Sequence, residues 1–86
     1  VQNRKQEHRA RMWAYDKLLP LQFFIFAFKH GCHSTHDTAE FLEVSEEFLK
    51  DCINAYHSKY GVFMEVSGYI FIFSENSLNI ISKENL

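Results

Sequence analysis

Three stretches of this chain hold residue types that do chemistry. The first is Glu7-His8-Arg9-Ala10-Arg11-Met12-Trp13-Ala14-Tyr15-Asp16-Lys17-Leu18-Leu19-Pro20. On a helix, at about 100° per residue, Glu7 falls on the same side as Ala10, Ala14 and Leu18, so a carboxylate lies on an apolar stripe. A carboxylate facing inward is costly unless something neutralises it. Three things would: a metal ion, a basic neighbour such as Arg4 or Arg11, or a fragment boundary that leaves the residue in water. The second stretch is His30-Gly31-Cys32-His33-Ser34-Thr35-His36, which sets three imidazoles and a thiol within seven residues. Zinc takes such ligands, but structural sites need a second ligand pair placed elsewhere, and a solvated linker with capping residues explains the same run.

The third stretch, Thr38-Ala39-Glu40-Phe41-Leu42-Glu43-Val44-Ser45-Glu46-Glu47-Phe48-Leu49-Lys50, has the pattern of a helix-turn-helix. The small Ala39 lets two helices approach, a tight turn follows Leu42, Val44 plugs the corner and Ser45 caps the second helix. In a DNA reader the first residues of that second helix enter the major groove. In this chain they are Ser45, Glu46, Glu47 and Lys50, followed by Asp51. Carboxylates repel phosphate, whose contacts dominate affinity for DNA. The charge therefore disfavours nucleic acid and points to a corner used for packing or protein contact, with Glu46, Glu47 and Lys50 as the partner-binding residues. No nucleophile–base pair is recognisable, the three glycines are not grouped into a phosphate loop, and no His-Glu-x-x-His is present. No catalytic residue is assigned.

The elements that would position these residues follow from periodicity and caps. A first helix is expected from about Asn3 to Leu19, ended by Pro20. Leu21 to Lys29 is apolar almost all round and reads as a helix buried on several sides, closed by Gly31. Ser34 or Thr35 caps a short helix ending near Leu42. Ser45 opens the next, with Glu46 and Glu47 where the helix dipole favours negative charge and Phe48, Leu49, Cys52, Ile53 and Tyr56 as its core stripe. After Gly61 the period changes. Val62 to Val66 and Tyr69 to Phe73, joined by Ser67-Gly68, read as a β-hairpin, and Leu78 to Ile81 as a third strand after Glu75-Asn76-Ser77. The expected fold is α+β: four helices with a helix-turn-helix-like corner over residues 1–61, a small antiparallel hairpin or three-stranded sheet over 62–82, and a frayed tail at 83–86, all in one domain.

Composition sets the outer bounds. A chain of 86 residues buries roughly 60–65% of its unfolded surface, enough for one modest core. The 47% apolar fraction and nine Phe supply it and argue against disorder. A net charge of −2 predicts no strong attraction to nucleic acid or to anionic membrane. The apolar run Leu18 to Phe28 is interrupted by Pro20 and Gln22 and is too short to span a bilayer. Nor is it N-terminal, so it is no signal peptide. Two cysteines, Cys32 and Cys52, read as free thiols in a reducing cytoplasm. A start at Val1 rather than Met is what a fragment or processed product would show.

One family pattern runs through these elements. Glu7-x-x-Ala10-x-x-Trp13-Ala14-x-x-Lys17-Leu18-Leu19-Pro20, then Thr38-Ala39-Glu40-Phe41-Leu42-x-Val44-x-x-x-Phe48-Leu49, then Tyr56-x-x-Lys59-Tyr60-Gly61 and the run from Gly68-Tyr69 to Phe73 resemble, in order, the second half of the ImmA/IrrE family of bacterial and phage zinc metallopeptidases. The resemblance implies an intracellular endopeptidase that cleaves phage-type or mobile-element repressors. It implies a zinc-binding His-Glu-x-x-His helix upstream and a downstream glutamate as third ligand, for which Glu7 is the matching position. Because the His-Glu-x-x-His helix is absent from these residues, this chain alone is expected to hold no zinc and to hydrolyse nothing. The tail departs from the family at Phe73-Ser74-Glu75-Asn76, where a proline is expected. The implied function is repressor recognition within a larger peptidase. The alternatives are a stand-alone interaction protein of phage type, such as a decoy or inhibitor, and, last, a DNA-binding module.

Overall fold

Pro20 lacks a backbone N–H and holds an extended conformation (φ −61°, ψ 157°), so the first helix stops before it and a second begins after it. The computed structural model describes the backbone of residues 2–85 and the side chains of residues 10–84. The elements are α1 (Gln2–Leu18), α2 (Leu21–His30), α3 (Thr35–Leu42), α4 (Glu46–Tyr60), β1 (Phe63–Val66), β2 (Tyr69–Ser74) and β3 (Ser77–Ser82), followed by a 3-10 turn at Lys83–Asn85. The helices come first and an antiparallel three-stranded sheet of order β1-β2-β3 closes the chain. This is the expected α+β arrangement.

The four helices do not pack equally. Among the described residues α2, α3 and α4 form the packed body, with α4 also lying on all three strands. The arm α1 buries Met12, Tyr15 and the following Leu19 against it, spaced i, i+3 and i+7. That face is not the one the alanines suggest. Ala10 is exposed and Leu18 is 59% exposed, so the stripe Ala10–Ala14–Leu18 lies on the outer side of the helix rather than against the core. The two stripes are roughly 130° apart at the helical repeat, and α1 can bury only one of them.

The second helix, expected to be buried on several sides, keeps one side open. Phe24, Ile25 and Ala27 are buried, while Phe23 and Phe26 lie on the open side, their ring centroids 6.3 Å apart. The stripe of α4 is as expected, with Leu49, Cys52, Ile53 and Tyr56 inside and Phe48 tilted against Tyr15 at 5.4 Å.

In the sheet, alternation aims Phe71 and Phe73 at α4. Their cross-strand partners Met64, Ile80 and Leu78 face the same core. The first turn takes Ser67 and Gly68 both to positive φ (50° and 84°), which suits the right-handed twist of a two-residue hairpin. In the second turn Asn76 takes the left-handed region (φ 61°) and is held by Asn54, whose side chain accepts from its backbone N–H at 2.9 Å and donates to its Oδ1 at 2.7 Å. The tail expected to fray is tied at Lys83, which donates its backbone N–H to the Gly68 carbonyl at 3.0 Å and pairs its ammonium with Glu65 at 2.7 Å.

Candidate functional site

The corner between α3 and α4 is built from short local bonds. Ser34 Oγ accepts the backbone N–H of Asp37 at 3.0 Å, and Ser45 Oγ accepts that of Phe48 at 3.0 Å, so each helix start is capped. At the end of α3, Glu43 turns the chain through the left-handed region (φ 59°, ψ 43°). The Val44 N–H then reaches back to the Ala39 carbonyl at 3.0 Å, and the Val44 side chain packs against the core. Ala39 is buried, as close approach of the two helices requires.

This corner holds Glu46, Glu47 and Lys50 in the first turns of α4, all exposed. Glu40 and Glu43 add two more exposed carboxylates from α3 and the turn. Glu46 and Glu47 sit at a helix start, where the dipole favours negative charge, so their arrangement is stable without a partner. Glu46 has a second tie that pattern reading missed. The His36 imidazole lies between two carboxylates, Nε2 at 3.4 Å from Glu40 and Nδ1 at 3.3 Å from Glu46. The i, i+4 spacing of His36 and Glu40 was the available signal.

The other candidates scatter. Glu7 lies in α1, but its side chain is outside the described residues. His30 stacks on Phe41 with ring centroids 4.6 Å apart, Cys32 Sγ lies 3.7 Å from the Asp37 carbonyl, and His36 is engaged as above. Among the described residues no three His, Cys, Asp or Glu side chains converge as a metal site would need. Cys32 and Cys52 are free thiols. Burial, with the Asp16 charge second, pushes the Cys52 thiol up to about 12, so it stays protonated and unreactive at neutral pH.

Two features lie outside the corner. Tyr56 Oη, fully enclosed, lies 2.9 Å from the Leu19 carbonyl and 3.2 Å from Asp16 Oδ1, and Lys59 stands 3.7 Å from the other Asp16 oxygen. This group fastens the end of α1 to α4. A cavity of about 90 Å³ opens between the α2–α3 connection, α4 and β3, with Phe28, Leu49, Ile53 and Ile80 in its walls and His33, Thr38 and Asn79 among its polar lining. Among the described residues no helix is long and apolar enough to cross a membrane.

Compared with known proteins, the chain matches no family model, no curated protein and no solved structure.

Proposed function

We propose that the chain is a protein-recognition module: the C-terminal, non-catalytic half of a zinc metallopeptidase of the ImmA/IrrE type, which engages the repressor that the intact cytoplasmic enzyme cleaves or antagonises. The observation that carries recognition of protein over DNA is the acidic corner. Glu46 and Glu47 lead α4 where a DNA reader would present bases or amides, with Glu40 and Glu43 beside them. Such a surface repels phosphate and complements a basic protein face. Membership of a larger peptidase rests on the ordered sequence pattern. The uncovered side of α1, with Trp13 65% and Leu18 59% exposed, supports it, because large apolar residues left open mark a surface that another segment covers. Glu7 is the zinc ligand this half would contribute to the parent; the described residues make no zinc site, and no catalytic step is assigned to them.

The test is titration of the repressor encoded beside this chain with wild type and with the Glu46→Lys/Glu47→Lys double variant. The expected result is binding weakened about ten-fold or more at low salt, mostly through the association rate. Equal affinity removes the corner as the contact, and a gel shift with promoter DNA that fades steeply with salt would replace this reading with DNA binding. A stand-alone interaction protein is the second reading, favoured by a core that closes within the chain, where Leu49, Cys52 and Phe71 are each 0% exposed. A His-Glu-x-x-His codon run in frame upstream excludes it.

A further inference from the structure

We infer that the open edge of β3 is a docking strand for an extended peptide segment of a partner protein, with one aliphatic side chain seated in the adjoining cavity. The inference does not rest on the acidic corner or on the peptidase reading.

The edge is defined by register. β3 is the last strand of the sheet and pairs on one side only. The Lys83 N–H bonds to the Gly68 carbonyl at 3.0 Å, and hydrogen-bonded pairs alternate along an antiparallel ladder. Asn79 opposite Ile72 and Ile81 opposite Ile70 are therefore the residues whose backbone groups point to β2. Leu78 and Ile80 turn their N–H and C=O to the open side. Such a row is a template for an added strand.

The cavity lies on that same side. Its wall includes Leu78 and Ile80 of β3, and across from them stand Phe28 and the start of α3. In an antiparallel pair, residues directly opposite put their side chains on one face of the sheet. A peptide residue that exchanges both backbone bonds with Ile80 thus points its side chain where Ile80 points its own, toward the core and into the cavity. The volume of about 90 Å³ takes one aliphatic side chain. For comparison, an apolar cavity of about 150 Å³ holds benzene. Its lining is half apolar and half polar, with no Asp, Glu, Lys or Arg, so an uncharged side chain suits it. Register, free backbone groups and cavity agree on one occupant, an extended segment with one aliphatic residue at the cavity.

The probes are blocked seven-residue peptides of alternating threonine and small polar residues, with leucine or isoleucine at the centre. They are added to the ¹⁵N-labelled full chain, with amide shifts followed by NMR. The expected result is saturable shifts at 77–82 and 32–38. N-methylation of the central residue weakens binding roughly ten-fold, because its N–H is the one given to the Ile80 carbonyl, whereas N-methylation of the next residue, whose N–H faces away, leaves it unchanged. Ile80→Pro removes the outward N–H without breaking the β2 ladder and is expected to weaken binding similarly. Thr38→Phe fills the cavity from α3 and is expected to abolish it, which keeps the test open if the proline variant fails to fold. The inference is overturned if neither peptide shifts these amides at millimolar concentration, if the two N-methyl positions behave alike, or if Thr38→Phe binds as wild type does.

Discussion

Tyr56→Phe removes one oxygen atom from the most enclosed polar contact in the chain. Tyr56 is 1% exposed, and its hydroxyl sits between the Leu19 carbonyl at 2.9 Å and Asp16 Oδ1 at 3.2 Å. A hydroxyl has one proton, so the shorter, buried carbonyl contact is the main bond and the half-exposed carboxylate the lesser one. The ring itself stays, with its edge-on contact to Phe24 at 6.3 Å, so no cavity larger than the oxygen opens. What is lost is a net hydrogen bond of about 1 kcal/mol, plus the cost of leaving the Leu19 carbonyl without a donor in a residue only 1% exposed, about 1–3 kcal/mol. The expected destabilisation is about 2 kcal/mol, a fall in Tm of roughly 8–16 °C for a domain of this size. The assay is urea and thermal unfolding followed by circular dichroism, with hydrogen exchange on the α1 amides, which are expected to lose protection ahead of α4. Asp16→Ala in the same background separates the two acceptors: a coupling below about 1 kcal/mol is expected if the carbonyl dominates. A Tyr56→Phe variant within about 0.5 kcal/mol of wild type would refute the anchor, since that is the range of a surface change touching nothing.

Alkaline pH is expected to destabilise the fold. Burial raises the thiol of Cys52 to about 12 and also raises the phenols of Tyr56 and Tyr15. The unfolded thiol ionises near about 8.5, so the unfolded state loses its proton first; stability is whole below that pH and falls as pH climbs towards the folded value, by up to about 1.4 kcal/mol per pH unit for the thiol alone. Urea midpoints at about pH 8 and about pH 10.5 measure the fall, Cys52→Ala is expected to flatten part of it, and a level profile counts against the enclosed thiol. Glu43→Gly is expected to stabilise by about 1 kcal/mol, since a non-glycine residue holds φ 59° at the end of α3 and the carboxylate faces the negative end of the helix dipole; a lower Tm would contradict this.

Local signals were the most legible. Both serine caps, the left-handed Gly31, the Ser67-Gly68 turn and the α4 stripe are where residue types and spacing put them, because each depends on a few neighbouring residues. What spacing could not decide is which of several apolar faces a helix buries. α2 offers apolar residues on nearly every side, and only Phe24, Ile25 and Ala27 are buried. The corner residues Glu46, Glu47 and Lys50 were readable as exposed and charged. The His36 bridge was not, because Glu46 comes to it from a second helix whose angle to the first no sequence period encodes. The β3 edge needed the register, which depends on the two turns and on which face of the sheet is covered.

The rotation of α1 shows how a polar contact can settle what periodicity leaves open. Two stripes compete, Ala10–Ala14–Leu18 and Met12–Tyr15–Leu19, roughly 130° apart. Burying the second encloses larger side chains, and more apolar area removed from water favours it. Area alone does not set the angle, since Trp13, on a third face, stays 65% exposed, its ring under the Lys17 ammonium at 5.8 Å. The Tyr56 hydroxyl does set it, because one atom on α4 meets both Asp16 and Leu19, and a helix turned by a single residue would carry both away from it. With that contact made, Met12 and Tyr15 follow inward and the alanine stripe turns out. The surface α1 offers to another segment therefore depends on a tyrosine 37 residues along the chain from the carbonyl it bonds.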